Sequence, residues 1–293
     1  MLANIMEEVT SFEVLEEAYG WLCKRREKYS HNDEVWTIRE RWPEIKQQLQ
    51  INLLDGSYSF SLLCRIHRTD GELEVWSALD SLVLKAIAIV LTKRLATQLS
   101  KRCTHLAGNG GAKAAVREVL AKLPENKFVF RTDVKSYYAS IHHDILFSHL
   151  QQHIEDGRLL ALLWQYMRRT VYDDGLYEDL EQGISLGCPL LPLMGALFLN
   201  LLDRRMEDIG VFYVRFMDDW IILAPTCKWI ATLSGQILVA REYHAPATRV
   251  VPLRSLDQTR VLRVSCGRLA WSTETVLQHQ TPACKSQLLR TLI

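Results

Sequence analysis

The sequence predicts an α+β protein, and three observations support this class. Apolar residues recur at three-to-four spacing through residues 10–52, a pattern typical of amphipathic helices. Residues 58–79 form two short runs around the turn Asp70-Gly71, which predicts a β-hairpin. Residues 211–225 predict a strand, a turn with two acidic residues and a second strand. Helices mixed with a few hairpin strands are typical of the α+β class.

The remaining elements follow in chain order. The apolar spacing predicts further helices over residues 78–99, 113–123, 143–154, 159–170 and 193–206. A buried strand is predicted over residues 127–134, and a loop rich in glycine and proline over residues 183–192. The chain is therefore divided into an N-terminal helical extension (1–57), a central domain (58–225) and a C-terminal segment (226–293).

The composition argues against several classes of protein. Hydrophobic residues make up 48% and charged residues 24%, which is typical of an ordered globular protein. The N-terminus is acidic without the apolar core of a secretory signal, and no run of eighteen apolar residues predicts a membrane span. The odd number of cysteines without a CxxC pair predicts reduced thiols and a cytoplasmic location; they stand at positions 23, 64, 103, 188, 227, 266 and 284.

Positive charge is concentrated in the C-terminal part of the chain. The formal net charge is only +1, yet residues 225–293 carry nine Lys and Arg residues against three acidic ones. A basic segment of this kind can follow a phosphate backbone. A solvated basic surface explains the same charge equally well.

The strongest chemical signal is the pair Asp218-Asp219 at the tip of the second predicted hairpin. Mg²⁺ prefers hard oxygen ligands in a fixed geometry, but aspartate is also a common turn residue. Asp133, at the end of the predicted strand, favours a metal site over a simple turn, because a carboxylate on a buried strand requires a cation or hydrogen-bond donors. The alternative for Asp133 is a strand-end or capping aspartate. Three carboxylates from two strands fit a site for two Mg²⁺ ions, with Mn²⁺ as a substitute, about 3.5–4 Å apart.

Three motifs in this order resemble the palm motifs of reverse transcriptases. They are DVKSYY at residues 133–138, GISLGCPLLPL at residues 183–193 and FMDD at residues 216–219. The resemblance covers about residues 50–225 and is to the bacterial branch, near group II intron-type and retron-like enzymes. It implies the fingers and palm of a right-hand polymerase, with an antiparallel palm sheet and helices. It also implies RNA-directed DNA polymerase activity, with Asp133, Asp218 and Asp219 as the metal ligands.

The resemblance also assigns roles to residues that would contact the nucleotide. Tyr138 matches the aromatic residue that packs against the sugar and excludes a 2′-hydroxyl; a core tyrosine is the alternative. Gly187 and Pro189 match the loop whose backbone approaches the incoming base and the template. This loop departs from the common pattern at Leu186, where many relatives have glutamine, and at Leu191, where many have serine.

Basic residues complete the predicted contacts. Arg65 and Arg68 in the first hairpin match residues that fold over a triphosphate, and Lys85 is a substitute for an arginine absent after the Asp-Gly turn. Solvated hairpin charges and a lysine lying along an apolar helix are the alternatives. Lys113 and Arg117 stand one helical turn apart after a glycine-rich segment and could contact a template phosphate; an exposed helix start is the alternative. The run His142-His143-Asp144 predicts a helix start rather than a metal site.

Residues 226–293 do not continue the resemblance, since they lack the periodicity of a helical thumb. A divergent or truncated thumb, a poorly ordered tail and a shifted reading frame near Cys227 all explain this. The implied partners are an RNA template, a DNA or RNA primer and deoxynucleoside triphosphates. An accessory RNA or protein is a further partner in an intron, retron or phage-defence setting.

Two other functions fit parts of the pattern. A palm that binds RNA with weak or no catalysis, within a mobile-element or phage-defence complex, fits the divergent C-terminal segment. A two-aspartate metal hydrolase on another fold fits Asp218 and Asp219, but it leaves Tyr138 and the Gly187–Pro189 loop unexplained.

Overall fold

The computed structural model describes residues 4–68, 71–126, 128–132, 136–225 and 251–252. The chain divides into two compact units. The first unit comprises Met1–Gln98 and Tyr138–Phe198, and the second comprises Leu99–Tyr137 and Leu199–Ile293. Within the described residues, each unit has its own four-stranded sheet.

The first unit begins with four helices: α1 (Ile5–Val9), α2 (Phe12–Arg25), α3 (Glu34–Glu40) and α4 (Trp42–Asp55). The side chains of Ser11 and Asp33 accept a hydrogen bond from a main-chain N–H in the first turn of α2 and α3. Gly56 ends α4 in the left-handed conformation that glycine adopts without steric cost. The helical prediction for residues 10–52 is confirmed over most of this range, with breaks at residues 10–11, 26–33 and 41.

Helix α5 (Ala78–Leu95) forms the centre of the first unit. It begins after Ser77, whose side chain accepts a hydrogen bond from the N–H of Asp80, and it ends four residues before the predicted end at residue 99. The helix is buried on nearly every side, and α2 packs along it. A helix that is apolar all round requires this position in the core.

The first sheet has the strand order β2-β1-β4-β5. Strands β1 (Leu63–Arg68) and β2 (Gly71–Val75) pair antiparallel, which confirms the predicted hairpin. Strands β4 (Thr170–Asp173) and β5 (Leu176–Asp179) form a second hairpin, and β4 lies parallel to β1. The prediction of helix through residue 170 is therefore wrong, because Thr170 already belongs to β4.

The other helices of the first unit are α7 (His143–Gln151), α8 (Gly157–Met167) and α9 (Leu191–Phe198). Asp156 caps α8 by accepting hydrogen bonds from the first two N–H groups after Gly157. The predicted helix over residues 193–206 is interrupted: α9 ends at Phe198, and the next helix begins at Asn200 in the second unit.

The second unit contains α6 (Gly111–Lys122), a 3₁₀ turn at Leu123–Glu125, β3 (Phe128–Thr132), α10 (Asn200–Ile209), β6 (Phe212–Phe216), β7 (Asp219–Ala224) and β8 (Val251–Pro252). Its sheet has the order β6-β7-β3-β8, and every neighbouring pair is antiparallel. This confirms the predicted antiparallel sheet and the hairpin over residues 211–225. Apart from β8, the predictions for residues 226–293 lie outside the described residues.

Among the described residues, no helix combines the length and the apolar character that crossing a membrane requires.

Candidate active site

Asp218 and Asp219 lie at the tip of the β6–β7 hairpin. Phe216 pairs with Asp219, so Met217 and Asp218 form a two-residue turn. Both aspartates are half-buried, while the strands behind them are almost completely buried. Strand β3 runs alongside β7 with Thr132 opposite Trp220. Asp133, the next residue in the sequence, lies outside the described residues, so its part in the site stays a prediction.

The turn has an unusual backbone conformation at Met217, whose φ is +58°. Side chains with a Cβ rarely adopt positive φ, and such residues persist where surrounding contacts hold them. The N–H of Met217 donates to Nδ1 of His105 over 2.9 Å, and its carbonyl accepts from Nη1 of Arg215 over 2.9 Å. Two side chains from outside the turn therefore bind both main-chain polar groups of its first residue.

Arg215 is completely buried and forms an ion pair with Asp203 of α10. Its Nε donates to Oδ1 of Asp203 over 2.9 Å, and its Nη2 donates to Oδ2. Burial by itself lowers the pKa of Arg215, but the neighbouring Asp203 carboxylate more than reverses this, so the guanidinium stays charged. Burial also raises the pKa of the nearby Cys103 thiol to about 12, which keeps it protonated near neutral pH.

Within the first unit, the Gly183–Pro189 loop is fixed by hydrogen bonds at its start. Gly183 has φ of +84°, and a Cβ there would lie 2.9 Å from the carbonyl oxygen of Ala139. The N–H of Ile184 donates to the carbonyl of Tyr138 over 2.9 Å. The structure therefore places two of the predicted nucleotide-contacting elements, Tyr138 and this loop, in direct main-chain contact.

Two buried side chains bind the carbonyl oxygen of Gly183. Nε2 of His143 donates over 2.7 Å and Nη1 of Arg169 over 3.0 Å. Burial lowers the pKa of His143, which favours the neutral ring with its proton on Nε2. Arg169 also binds both carboxylate oxygens of Glu74 in β2, at 2.6 and 2.9 Å. The predicted helix start at His142-His143 is confirmed, since α7 begins at His143. No local pattern in the sequence indicates this use of Arg169.

Gly187, further along the same loop, lies against the first hairpin. It has φ of +82°, and a Cβ there would lie 3.7 Å from Cδ1 of Leu73. Pro189 is followed by α9, and the thiol of Cys188 accepts a hydrogen bond from the N–H of Leu190 over 3.3 Å. The loop thus runs close to β2 at Gly187. The approach of its backbone to a nucleotide stays a prediction.

Arg65 of β1 lies among carboxylates. Its Nη1 lies 3.1 Å from Oδ2 of Asp173 and 3.0 Å from Oε2 of Glu178, and its Nε lies 3.6 Å from Oε2 of Glu72. These contacts already compensate the charge of the guanidinium. The side chain of Arg68 lies outside the described part of the chain. The predicted triphosphate contacts of both arginines stay predictions.

Lys85 and the pair Lys113 and Arg117 occupy different surroundings. The ammonium group of Lys85 lies 5.7 Å from the ring centroid of Trp21 in α2, a cation–π contact. Lys113 and Arg117 are both exposed on α6, and Nε of Arg117 donates to the carbonyl of Lys113 over 3.2 Å. Both cations are therefore accessible to a phosphate backbone. Their role in template binding stays a prediction.

His67, Asp173 and Asp174 form another group of possible metal ligands within the described residues, at the exposed ends of β1 and β4, the two central strands of the first sheet. Nε2 of His67 lies 2.8 Å from Oδ1 of Asp173. The Arg65 guanidinium binds the same aspartate, which disfavours a cation there. Strands β4 and β5, and therefore this group, were not predicted from the sequence, although the dipeptide Asp174-Gly175 is a recognised hairpin signal.

Helices beside an antiparallel sheet, with two adjacent aspartates at a hairpin tip, are the arrangement expected of the palm of a nucleic-acid polymerase. A family model described as "Reverse transcriptase (RNA-dependent DNA polymerase)" matches residues 75–238, more than half of the chain. The chain therefore belongs to the reverse transcriptase family.

Two other proteins are similar to parts of this chain. Protein YkfC of Escherichia coli (strain K12) is 27% identical over 99 residues, which are 32% of this chain and 26% of that protein. A Saccharomyces cerevisiae protein described as a COX1/OXI3 intron 1 protein is 22% identical over 137 residues, 46% of this chain and 16% of that protein. The chain thus spans about a quarter or less of these relatives. These matches confirm the predicted resemblance to bacterial and intron-type enzymes.

A solved structure with the same fold is that of a partial Cas6-RT-Cas1–Cas2 complex. It superimposes with a TM-score of 0.51 at 19% sequence identity, over 82% of this chain and 43% of that chain. At this level of identity the likeness concerns the fold. It confirms the α+β class with helices and an antiparallel sheet.

Members of this family use divalent metal ions. Asp218 and Asp219 supply carboxylate oxygens at a rigid hairpin tip, which are the hard donors that such ions prefer. The donor set of the hairpin therefore fits a divalent metal.

Proposed function

We propose that the chain is an RNA-directed DNA polymerase that adds deoxynucleotides to a primer 3′-hydroxyl. The observation that carries this proposal is the pair Asp218-Asp219 at the tip of a buried antiparallel hairpin, in a chain of the reverse transcriptase family. In this proposal Asp133, Asp218 and Asp219 are the ligands of two Mg²⁺ ions, and Mn²⁺ can replace them.

The protein's own groups position the reactants. When bound, the two ions stabilise the negative charge that develops during nucleotidyl transfer. The carboxylates would hold the two metal ions at a fixed point, because the hairpin behind them is buried and hydrogen-bonded. Tyr138 excludes a 2′-hydroxyl from the sugar site, and the Gly187–Pro189 loop lets the backbone approach the incoming base.

The remaining partners are part of the same proposal. The template is RNA, the primer is DNA or RNA, and Lys113 and Arg117 contact the template backbone. A similar structure, that of a partial Cas6-RT-Cas1–Cas2 complex, supports an accessory protein partner, and the similarity to a yeast intron protein supports a mobile-element setting. A phage-defence setting and a cytoplasmic location remain part of the proposal.

The test is Mg²⁺-dependent primer extension on an RNA template by the full chain. Asp218→Ala removes a proposed metal ligand, and we expect the rate of deoxynucleotide incorporation to fall by about 10²–10³-fold or more. Asp208→Ala is the matched control, because Asp208 is an exposed aspartate of α10 in the same unit. Extension by Asp218→Ala at the wild-type rate would show that the assignment is wrong.

A second function is favoured by the surroundings of Arg65. Three carboxylates already compensate its charge, and Glu74 in the same hairpin is bound to Arg169. A hairpin with its charges paired in this way attracts a triphosphate weakly. The alternative is therefore a palm that binds RNA within a larger complex and has weak or no catalysis.

Measuring RNA binding and primer extension on the same protein distinguishes the two functions. An RNA-binding palm binds RNA with an affinity that falls with salt, yet extends no primer at any Mg²⁺ or Mn²⁺ concentration. Extension by the wild-type chain that Asp218→Ala abolishes would exclude this alternative.

A further inference from the structure

The positions of the carboxylate groups of Asp218 and Asp219 depend on the main-chain conformation of Met217. Aspartate side chains are short, so the backbone of the turn largely decides where their oxygens lie. Met217 adopts φ of +58°, a conformation that is sterically unfavourable for a residue with a side chain. Contacts from outside the turn are needed to hold it.

Those contacts come from one arginine and one histidine of the second unit. Nη1 of Arg215 donates to the Met217 carbonyl, and Nδ1 of His105 accepts from the Met217 N–H, each over 2.9 Å. Since Nδ1 accepts a hydrogen bond, this nitrogen carries no proton. The His105 ring also lies edge-on to Phe216, with 5.9 Å between the ring centroids.

Arg215 is held in place from several directions. Asp203 binds two of its guanidinium nitrogens, as described above. Its main-chain N–H donates to the carbonyl of Arg102 over 3.0 Å, and its carbonyl accepts from the N–H and the hydroxyl of Thr104 at 2.9 and 3.1 Å. Residues 102–105 are therefore hydrogen-bonded to Arg215 of β6 beside the turn. These bonds place the His105 ring next to the N–H of Met217.

We propose that His105 and Arg215, with Asp203 as the counter-ion of Arg215, are positioning residues for the metal-binding carboxylates of Asp218 and Asp219. They fix both peptide groups of Met217 and so hold the two carboxylates ready for a divalent ion. Groups that orient metal ligands commonly change metal affinity about 10–100-fold when they are replaced. This inference rests on the proposed metal site, but it does not require that the chain be an active polymerase.

The experiment measures Mn²⁺ binding by electron paramagnetic resonance, with the full chain and without nucleic acid. His105→Phe keeps a ring beside Phe216 but cannot accept the Met217 N–H, so we expect Mn²⁺ to bind about ten-fold more weakly. His105→Asn offers an amide oxygen as acceptor and should recover part of the affinity. Circular dichroism and the Tm show whether each variant is folded.

The matched control is His149→Phe, which replaces a buried histidine of the first unit whose ring lies beside Phe198. It should leave Mn²⁺ affinity unchanged. If folded His105→Phe binds Mn²⁺ as tightly as the wild type, or if the wild-type chain binds no Mn²⁺, the inference is wrong. Polymerase activity is scored separately by primer extension, so a chain that binds Mn²⁺ but extends no primer contradicts the proposed function alone.

Arg215 provides an independent test. Arg215→Met alone leaves the Asp203 carboxylate buried without its counter-ion, so this variant can fail to fold. The double variant Arg215→Met with Asp203→Leu removes both charges and keeps apolar volume in the core. We expect the folded double variant to bind Mn²⁺ about ten-fold more weakly. Wild-type affinity in the folded double variant would overturn the role of Arg215.

Discussion

At the scale of single residues, ion pairs link β1 and β4, the two central strands of the first sheet, near their exposed ends. His67 of β1 and Asp173 of β4 lie 2.8 Å apart, and Glu72 of β2 lies 3.5 Å from His67. The hydrogen bond to Asp173 raises the pKa of His67, and the same contact lowers the pKa of Asp173. Both charges are therefore present between the lowered pKa of the aspartate and the raised pKa of the histidine. The pair weakens as pH rises through the pKa of His67.

This pair predicts a measurable titration. We expect NMR of the His67 ring to give a pKa above the ordinary value of about 6.5, and Asp173→Asn to lower it, because the hydrogen bond to a carboxylate is lost. Asp179→Asn is the control, since Asp179 accepts a hydrogen bond from Thr170 instead. An unchanged pKa in Asp173→Asn would contradict the contact.

At the scale of elements, the entrance to the Gly183–Pro189 loop depends on close backbone packing. Gly183 lies so near Ala139 that no side chain fits, and its carbonyl is bound by His143 and Arg169. Arg169 in turn binds Glu74, so the loop and the first hairpin share one buried charge network. A substitution of Gly183 should therefore disturb both the Gly183–Pro189 loop and the first hairpin.

Gly183→Ala tests this packing. The new Cβ would meet the Ala139 carbonyl at 2.9 Å in addition to the cost of positive φ, so we expect the free energy of unfolding to fall by about 2–4 kcal/mol. Gly175→Ala is the matched control, because Gly175 also has positive φ but has no atom within 4 Å of the new Cβ. That variant should lose only about 1–2 kcal/mol. Equal shifts of the thermal unfolding midpoint in the two variants would contradict the packing argument.

At the scale of the whole molecule, charge is unevenly distributed along the chain. The net charge of +1 gives no overall attraction to nucleic acid, whereas residues 225–293 carry the basic surplus. Electrostatic binding to RNA is governed by local positive charge, because each neutralised phosphate releases counter-ions. The C-terminal segment is therefore the part of the sequence from which we expect salt-sensitive RNA binding.

Replacing Arg260, Arg263 and Arg268 with glutamine tests this expectation. If all three arginines contact phosphates, the negative slope of log affinity against log salt concentration for single-stranded RNA should become shallower by about 2. The control replaces Lys24, Arg25 and Lys28, three exposed cations at the end of α2 and just after it, and so removes the same charge. Equal changes of slope in the two variants would show that net charge, not the C-terminal segment, controls binding.

The sequence by itself determined the local elements and the chemistry of the hairpin tip. Apolar strands on both sides of Asp218 and Asp219 predicted the β6–β7 hairpin, and the ordered motifs predicted the family. These features are encoded by near neighbours, through periodicity and turn residues. The short strands β4 and β5 escaped prediction because four residues carry too little periodicity to distinguish a strand from a helix end.

Only the tertiary structure decided which residues support the site. His105 binds Met217 across 112 positions of sequence, and Arg169 binds Glu74 across 95. Arg215 is the one charged residue of the otherwise apolar strand β6, and it is completely buried against Asp203. Local spacing does not encode such pairs, because burial and counter-ions are set by how distant segments pack. For this reason the aspartates could be read from the sequence, whereas the groups that hold them could not.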